Sequence, residues 1–258
     1  MREVVTAKRP SCASPYRDRI IPAADMVSPP AAPYAQHYTL RLPDGDWVEL
    51  PLIALPPDEA TAIVSLCISE NSFDLEDRLS TAMAALARQL RPDVIVGMPT
   101  LGLVLAASVA KKLGHPYYVP LSYSRKFWFD EALSVSVRSI TSPDSEKKVY
   151  LDPRLLERLA GKRVVIVEDV ISTGATILAQ LALLAKVGIE VEGIVTAMQE
   201  SRLWMNRLAA ADPAYPQRVH SVLRSPLFKR LGAGWAPDPA TAPDASADME
   251  VTGDRSHV

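Results

Sequence analysis

Cysteine is nearly absent from this chain. Its 258 residues include two, Cys12 and Cys67. Two isolated cysteines make neither a disulfide framework nor zinc-ligand spacing. Cys67 sits in an apolar run and reads as a small buried hydrophobe. The four histidines, His37, His115, His220 and His257, are scattered. None has a His or Cys partner at ligand spacing, so no zinc site is expected. An excess of one charge is missing too. Lys plus Arg total 28 against 30 Asp plus Glu, a net charge of −2. That argues against a protein that coats nucleic acid or an anionic membrane. No 18 apolar residues run without interruption, and the N-terminus lacks an apolar h-region, so no membrane span or secretory leader is expected. A soluble cytoplasmic protein is the expectation. The first 20 residues are mildly basic, with Arg2, Lys8, Arg9, Arg17 and Arg19, but Glu3, Asp18 and two prolines count against a transit peptide. G-x-S-x-G is absent, so hydrolase chemistry has no support. No Walker A loop and no G-x-G-x-x-G are present.

What is present is one strand–turn–helix stretch, residues 164 to 176. Val164-Val165-Ile166-Val167 suits a strand buried on both faces of a parallel sheet. Two carboxylates, Glu168 and Asp169, follow. Val170 and Ile171 come next, then Ser172-Thr173-Gly174-Ala175-Thr176. A helix follows over Ile177 to Leu184. A helix N-terminus offers unpaired N–H groups and a positive dipole end, so it favours an anion. Gly174 lets the backbone approach a ligand or take φ > 0. Ser172, Thr173 and Thr176 add hydroxyls. The result is a phosphate cradle. Ionised carboxylates beside it only accept hydrogen bonds, so they suit a ligand that also carries hydroxyls. Phosphate on one side and a diol on the other describe a sugar phosphate. An ordinary N-cap with an acid near the helix start is the plainer reading. It leaves unexplained why two carboxylates close an apolar strand.

Around this stretch the chain reads as one α/β domain with tails, with 48% hydrophobic residues for its core. Residues 1–34 are rich in Pro, Ala and Ser without period and read as a disordered arm. Residues 35–59 form a β-hairpin extension: His37 to Leu42, a Pro43-Asp44-Gly45-Asp46 turn, and Trp47 to Leu52. Ala62 to Ile68 is a further strand. The main domain spans 60–224. Leu75, Leu79, Met83, Leu86 and Leu90 place a helix over 74–90. A strand over Asp93 to Met98 leads through Pro99-Thr100-Leu101-Gly102 into a helix from Leu103 to Leu113. In open α/β sheets ligands bind beyond the carboxyl ends of strands, so this turn shares an edge with 168–176. Residues 122–147 lack a lasting period and read as a hairpin-like lid. Lys147-Lys148 reads as a solvated pair. Asp152-Pro153 opens a short helix to Leu159. Ile189 to Met198 is a strand whose end, Gln199-Glu200-Ser201, reaches the ligand edge. A helix over 202–211 and a last strand over 219–223 follow. Residues 225–258 read as a mostly disordered tail.

Glu168 to Thr176, nine contiguous positions, resembles the phosphoribosyl pyrophosphate (PRPP) motif of type I phosphoribosyltransferases, and is nearest to the adenine and other purine enzymes. The resemblance implies a parallel sheet flanked by helices, with a small β-rich N-terminal extension or hood. It implies transfer of ribose 5-phosphate from PRPP to a nucleobase in purine salvage, with release of pyrophosphate. Ser172, Thr173, Gly174, Ala175 and Thr176 would hold the 5-phosphate. Glu168 and Asp169 would be the catalytic pair on the ribose hydroxyls. Thr100, Leu101 and Gly102, with Arg125 and Lys126, would hold pyrophosphate, and Val170 and Ile171 would pack on the base. Mg²⁺ would arrive on PRPP oxygens. A homodimer is implied, and neither membrane nor nucleic acid is. Arg125-Lys126 resembles the pair that starts the lid of adenine phosphoribosyltransferases, but Phe127-Trp128-Phe129 stands where those carry Lys-Leu-Pro, and their Tyr-x-x-Glu-Tyr is absent. The alternative is a non-catalytic PRPP-binding regulatory protein.

Overall fold

The computed structural model describes residues 18–139 and 142–244. The chain opens with four strands, β1 (Arg19–Ile21), β2 (His37–Arg41), β3 (Trp47–Ala54) and β4 (Thr61–Val64). Helix α1 (Phe73–Gln89), β5 (Val94–Gly97), α2 (Gly102–Lys112) and the short β6 (Val119–Pro120) follow. A hairpin, β7 (Ser134–Ser139) and β8 (Ser142–Tyr150), comes next. The chain continues through β9 (Val164–Ile171), α3 (Ala175–Lys186), β10 (Val191–Glu200) and α4 (Leu203–Ala211). It closes with β11 (Val219–Ser225), β12 (Phe228–Leu231) and β13 (Gly234–Pro237).

Five strands form a parallel sheet in the order β11-β10-β9-β5-β6, so the motif strand lies at its centre. Alternation along β9 explains the apolar run. Val165 and Val167 join a core layer with Leu75 and Leu79 of α1 and Leu105 and Val109 of α2. Val164 and Ile166 join the opposite layer with Ile177 and Leu184 of α3. Both faces are covered, so every one of the four must be apolar. Helix α1 starts where Ser72 Oγ accepts from the Leu75 N–H at 3.2 Å. Its apolar stripe is core, as the four-and-three spacing requires.

A second sheet, β1-β3-β4-β12-β13 with β2 beside β3, lies against the α1 side of the core. The hairpin over 37–52 is part of it, in the expected register order. Segments near both ends of the described residues also enter it, where disorder was expected. Within the 1–34 arm, β1 pairs antiparallel with β3. Asp18 accepts from the Ser72 N–H at 2.8 Å, tying this segment to the start of α1. Within the 225–258 tail, β12 pairs antiparallel with β4 and β13 returns beside β12. Phe228 is 0% exposed and Trp235 is buried, so two aromatics anchor this segment in the main core. Thr241 then accepts from the Arg202 N–H at the start of α4, 3.0 Å. Residues 1–17 and 245–258 of the two expected tails lie outside the described residues. The lid expectation corresponds to the β7–β8 hairpin. The short helix over 153–158 is a 3-10 helix capped by Asp152.

Phe228→Ala should cost about 3–5 kcal/mol by cavity formation, read as a lower midpoint in denaturant unfolding. An unchanged midpoint would remove the C-terminal hairpin from the core.

Candidate functional site

The carboxyl ends of β5, β9 and β10 meet at one edge of the parallel sheet. At that edge α2 and α3 begin without a side-chain cap and without an acid in the first turn. Helix α1, by contrast, has the Ser72 cap with Asp74 and Glu76 in its first turn. The free N–H groups and the dipoles of α2 and α3 are therefore left for a ligand. Helix α3 starts at Ala175, two residues earlier than its apolar pattern suggests. Gly174 precedes it with φ 76°, and a Cβ there would lie 2.4 Å from Leu208 Cδ1. Backbone sign and the close approach of α4 both demand glycine. Ser172, Thr173, Ala175 and Thr176 stay half-exposed around it. Thr100 is exposed and Leu101 half-buried at the start of α2, and the Pro99–Thr100 peptide is cis.

The strand β9 does not stop at the acidic pair, as the sequence suggests. It pairs with β10 through Ile171↔Gln199. Glu168 is 4% exposed. Its Oε2 accepts from Gln180 Nε2 at 2.9 Å, and its Oε1 accepts from the Asp169 N–H at 3.2 Å. A Cβ on Gly102 would sit 2.5 Å from Oε1, so Gly102 makes room for this carboxyl. Burial first, then the neighbouring charge of Asp169, pushes the Glu168 carboxyl well above its usual range. Burial raises Asp169 too, against donation from Glu168 and the Val170 N–H. Both carboxyls are thus pushed toward their protonated forms, Glu168 further than Asp169.

Asp169 also acts on three groups outside the motif. Glu200, buried at the end of β10, is pushed up to about 8 by burial and then by Asp169. Burial raises the Cys67 thiol, with Glu70 and Asp169 adding to it. On the other side Tyr123 is raised by burial and by both Glu168 and Asp169. Tyr123 lines a cavity of about 430 Å³ with Arg125, Lys147, Lys148 and Tyr150. Lys147 Nζ stands 5.6 Å from the Tyr123 ring centre, and Glu131 pairs with both Arg125 and Lys148. A cationic cavity thus adjoins the acidic pair.

The structure brings most of the expected residues to this edge. Lys126 is exposed and does not line the cavity; its carbonyl accepts from the Phe129 N–H at 3.0 Å. Ile171 is 1% exposed and packs into the core, so of the expected base pair only Val170 presents surface. The Phe127-Trp128-Phe129 run anchors the lid base. Trp128 Nε1 donates to Asp152 at 3.1 Å under the Arg154 guanidinium, and Phe129 is buried. Gln180, Tyr123 and the Lys147-Lys148 pair had no assigned role in the sequence. Glu200 was seen only as an edge residue. Its signal was the same as that of Glu168, a carboxylate closing an apolar strand.

The model of the phosphoribosyl transferase domain family matches residues 73–212. The chain belongs to this family. The match runs from α1 to the end of α4 and holds every loop described above, except the β4–α1 segment with Cys67. The adenine phosphoribosyltransferase of Sphingopyxis alaskensis is 34% identical over 160 residues, 54% of this chain and 82% of that protein. The hypoxanthine/guanine phosphoribosyltransferase of Methanosalsum zhilinae is 34% identical over 107 residues, 42% of this chain. The chain spans about half of that protein, 52%. The crystal structure of the APRTase from Giardia lamblia complexed with 9-deazaadenine superposes with a TM-score of 0.53 at 19% identity, covering 67% of this chain and 92% of that one. The domain thus has the type I phosphoribosyltransferase fold. No helix among the described residues is long and apolar enough to cross a membrane.

Two outcomes follow for this phosphoribosyl transferase domain. Gly174→Ala meets both a positive φ and Leu208, so it should lower the unfolding midpoint and weaken anion binding together. A variant as stable as the parent would contradict the geometry. Glu200, with its pKa raised to about 8 in the fold against 4.5 unfolded, favours the native state below pH 4.5, and that contribution is lost as pH rises towards 8. Melting temperature should therefore fall between pH 5 and 8 less steeply in Glu200→Gln than in the parent. Equal slopes would mean that Glu200 is solvated.

Proposed function

We propose that this chain transfers ribose 5-phosphate from PRPP to a purine base, adenine first, with release of pyrophosphate, as in purine salvage. One observation carries the reading. Two uncapped helix starts flank a carboxyl pair at one sheet edge, with a cationic cavity beside it. A phosphorylated sugar bearing a diol and a diphosphate matches all three. The family membership and the adenine-named relatives support the purine.

The 5-phosphate would lie on the start of α3, taking N–H groups from Gly174 to Thr176 and hydroxyls of Ser172, Thr173 and Thr176. The ribose hydroxyls would donate to Asp169, the more open of the two acids. The diphosphate would span the start of α2 at Thr100 to Gly102 and the cavity of Arg125, Lys147 and Lys148. In the reaction the bond from ribose C1 to the diphosphate oxygen breaks. A bond from C1 to a ring nitrogen of the base forms, and that base loses one proton. Positive charge develops on the sugar as negative charge develops on the leaving diphosphate. The carboxyl pair faces the first and the cationic cavity the second, so positioning and electrostatics supply the catalysis. Val170 would offer an apolar surface to the flat base.

No group of three or more His, Cys, Asp or Glu among the described residues could hold a metal by itself. Mg²⁺ would be carried on phosphate and sugar oxygens, the ligands it favours. It would neutralise charge on the diphosphate.

The test is pyrophosphate release from PRPP with Mg²⁺ across a panel of free bases. Release with adenine is expected, and Asp169→Asn should slow it by roughly 10²-fold or more with folding intact. Release with no base would contradict the reading; PRPP binding without release would leave a PRPP-binding regulator. Replacing Arg125, Lys147 and Lys148 together by Ala should weaken pyrophosphate binding, read calorimetrically; equal affinity would detach the cavity from the site.

A further inference from the structure

Gln180 is the one polar side chain fully buried in α3, at 0% exposure. Its neighbours in the same helix, Ile177, Leu181, Leu183 and Leu184, form ordinary core. Its Oε1 is buried without a hydrogen-bond partner. A leucine would suit the helix and the burial better. What glutamine has and leucine lacks is the Nε2–H aimed at Glu168 Oε2, 2.9 Å away.

That bond completes a two-donor grip on one carboxyl. From β9 the Asp169 N–H holds Oε1. From α2, Gly102 leaves the space the carboxyl occupies, since a Cβ there would lie 2.5 Å from Oε1. From α3 Gln180 holds Oε2. We propose that Gln180 is the positioning residue of this site: it fixes the orientation of the Glu168 carboxyl and favours its ionised form when positive charge develops on the sugar. The role in turnover rests on the transferase reading above; the grip on Glu168 does not.

Donors to the ionised form are few. Asp169 on the same strand is a like charge, and Tyr123, after β6, is a phenol that feels Glu168 in turn. Thr196 stands opposite on β10 and is uncharged. The two N–H groups, from Gln180 and Asp169, are what lowers its proton affinity against burial. Removing one should leave the acid protonated to higher pH.

The experiment uses Gln180→Leu, with the unbranched Gln180→Met as the second variant should leucine fail to fold. The Glu168 carboxyl is titrated in the ligand-free chain by infrared difference spectroscopy, with Glu168→Gln as the blank. The expected result is an apparent pKa raised by about one unit, a tenfold change in acidity, with a melting temperature no lower than the parent's. The low-pH limb of kcat/KM for PRPP should move up by the same amount while the high-pH plateau stays within about two-fold. An unmoved Glu168 titration would overturn the proposal. So would a uniform loss of activity at all pH, which is what a merely structural glutamine would produce. A parent chain without turnover, in which Gln180→Leu still raises Glu168, would uphold the grip and overturn the transferase reading instead.

Discussion

Parallel strands cannot be joined by a tight turn, and the site follows from that constraint. Each strand must hand the chain to a crossover, so each following helix starts at the same sheet edge where its strand ended. Three strands, β5, β9 and β10, end at that edge in register. The helices after β5 and β9 therefore point positive ends and unpaired N–H groups at one place. The centre of the sheet is apolar on both faces, so polar groups collect where β9 and β10 run out. Glu168, Asp169 and Glu200 lie there together. Burial and the charge of Asp169 raise both Glu168 and Glu200, and glutamine and backbone donors oppose this at Glu168.

Two opposed fields meet at this edge. The acids of β9 act on Tyr123, and the cations of the lid line a cavity with it. A ligand with separated positive and negative developing charge suits such a field. Neither half serves alone: three clustered carboxyls would bind no anion, and three lid cations would not favour a sugar cation. The lid reaches its place through the β7–β8 register, Ser136↔Lys148 and Val137↔Lys147, and through Trp128 and Phe129 at its base.

The centre of this arrangement was legible in the sequence because it is local. Val164 to Thr176 carries strand, acids, glycine and hydroxyls within one turn, and the apolar spacing of α1 fixes its inner face. What escaped was non-local. β1 is three residues long in a proline-rich stretch and is defined by pairing with β3. Phe228 and Trp235 look like strays in a polar tail until β12 meets β4. Lys147 and Lys148 become cavity residues only when the hairpin sets them beside Tyr123 and Arg125. Gln180 needs the packing of α3 on β9 to find Glu168, and Ile171 turns inward because β9 continues past the acids. Sequence periodicity carries none of these contacts.

The most direct measurement is a crystal structure of this chain with PRPP and Mg²⁺. The account predicts the 5-phosphate on residues 172–176, the ribose hydroxyls on Asp169, and the diphosphate between residues 100–102 and the Arg125, Lys147 and Lys148 cavity. A 5-phosphate bound away from the start of α3, or a diphosphate lying against Glu200 instead of the lid cations, would contradict it.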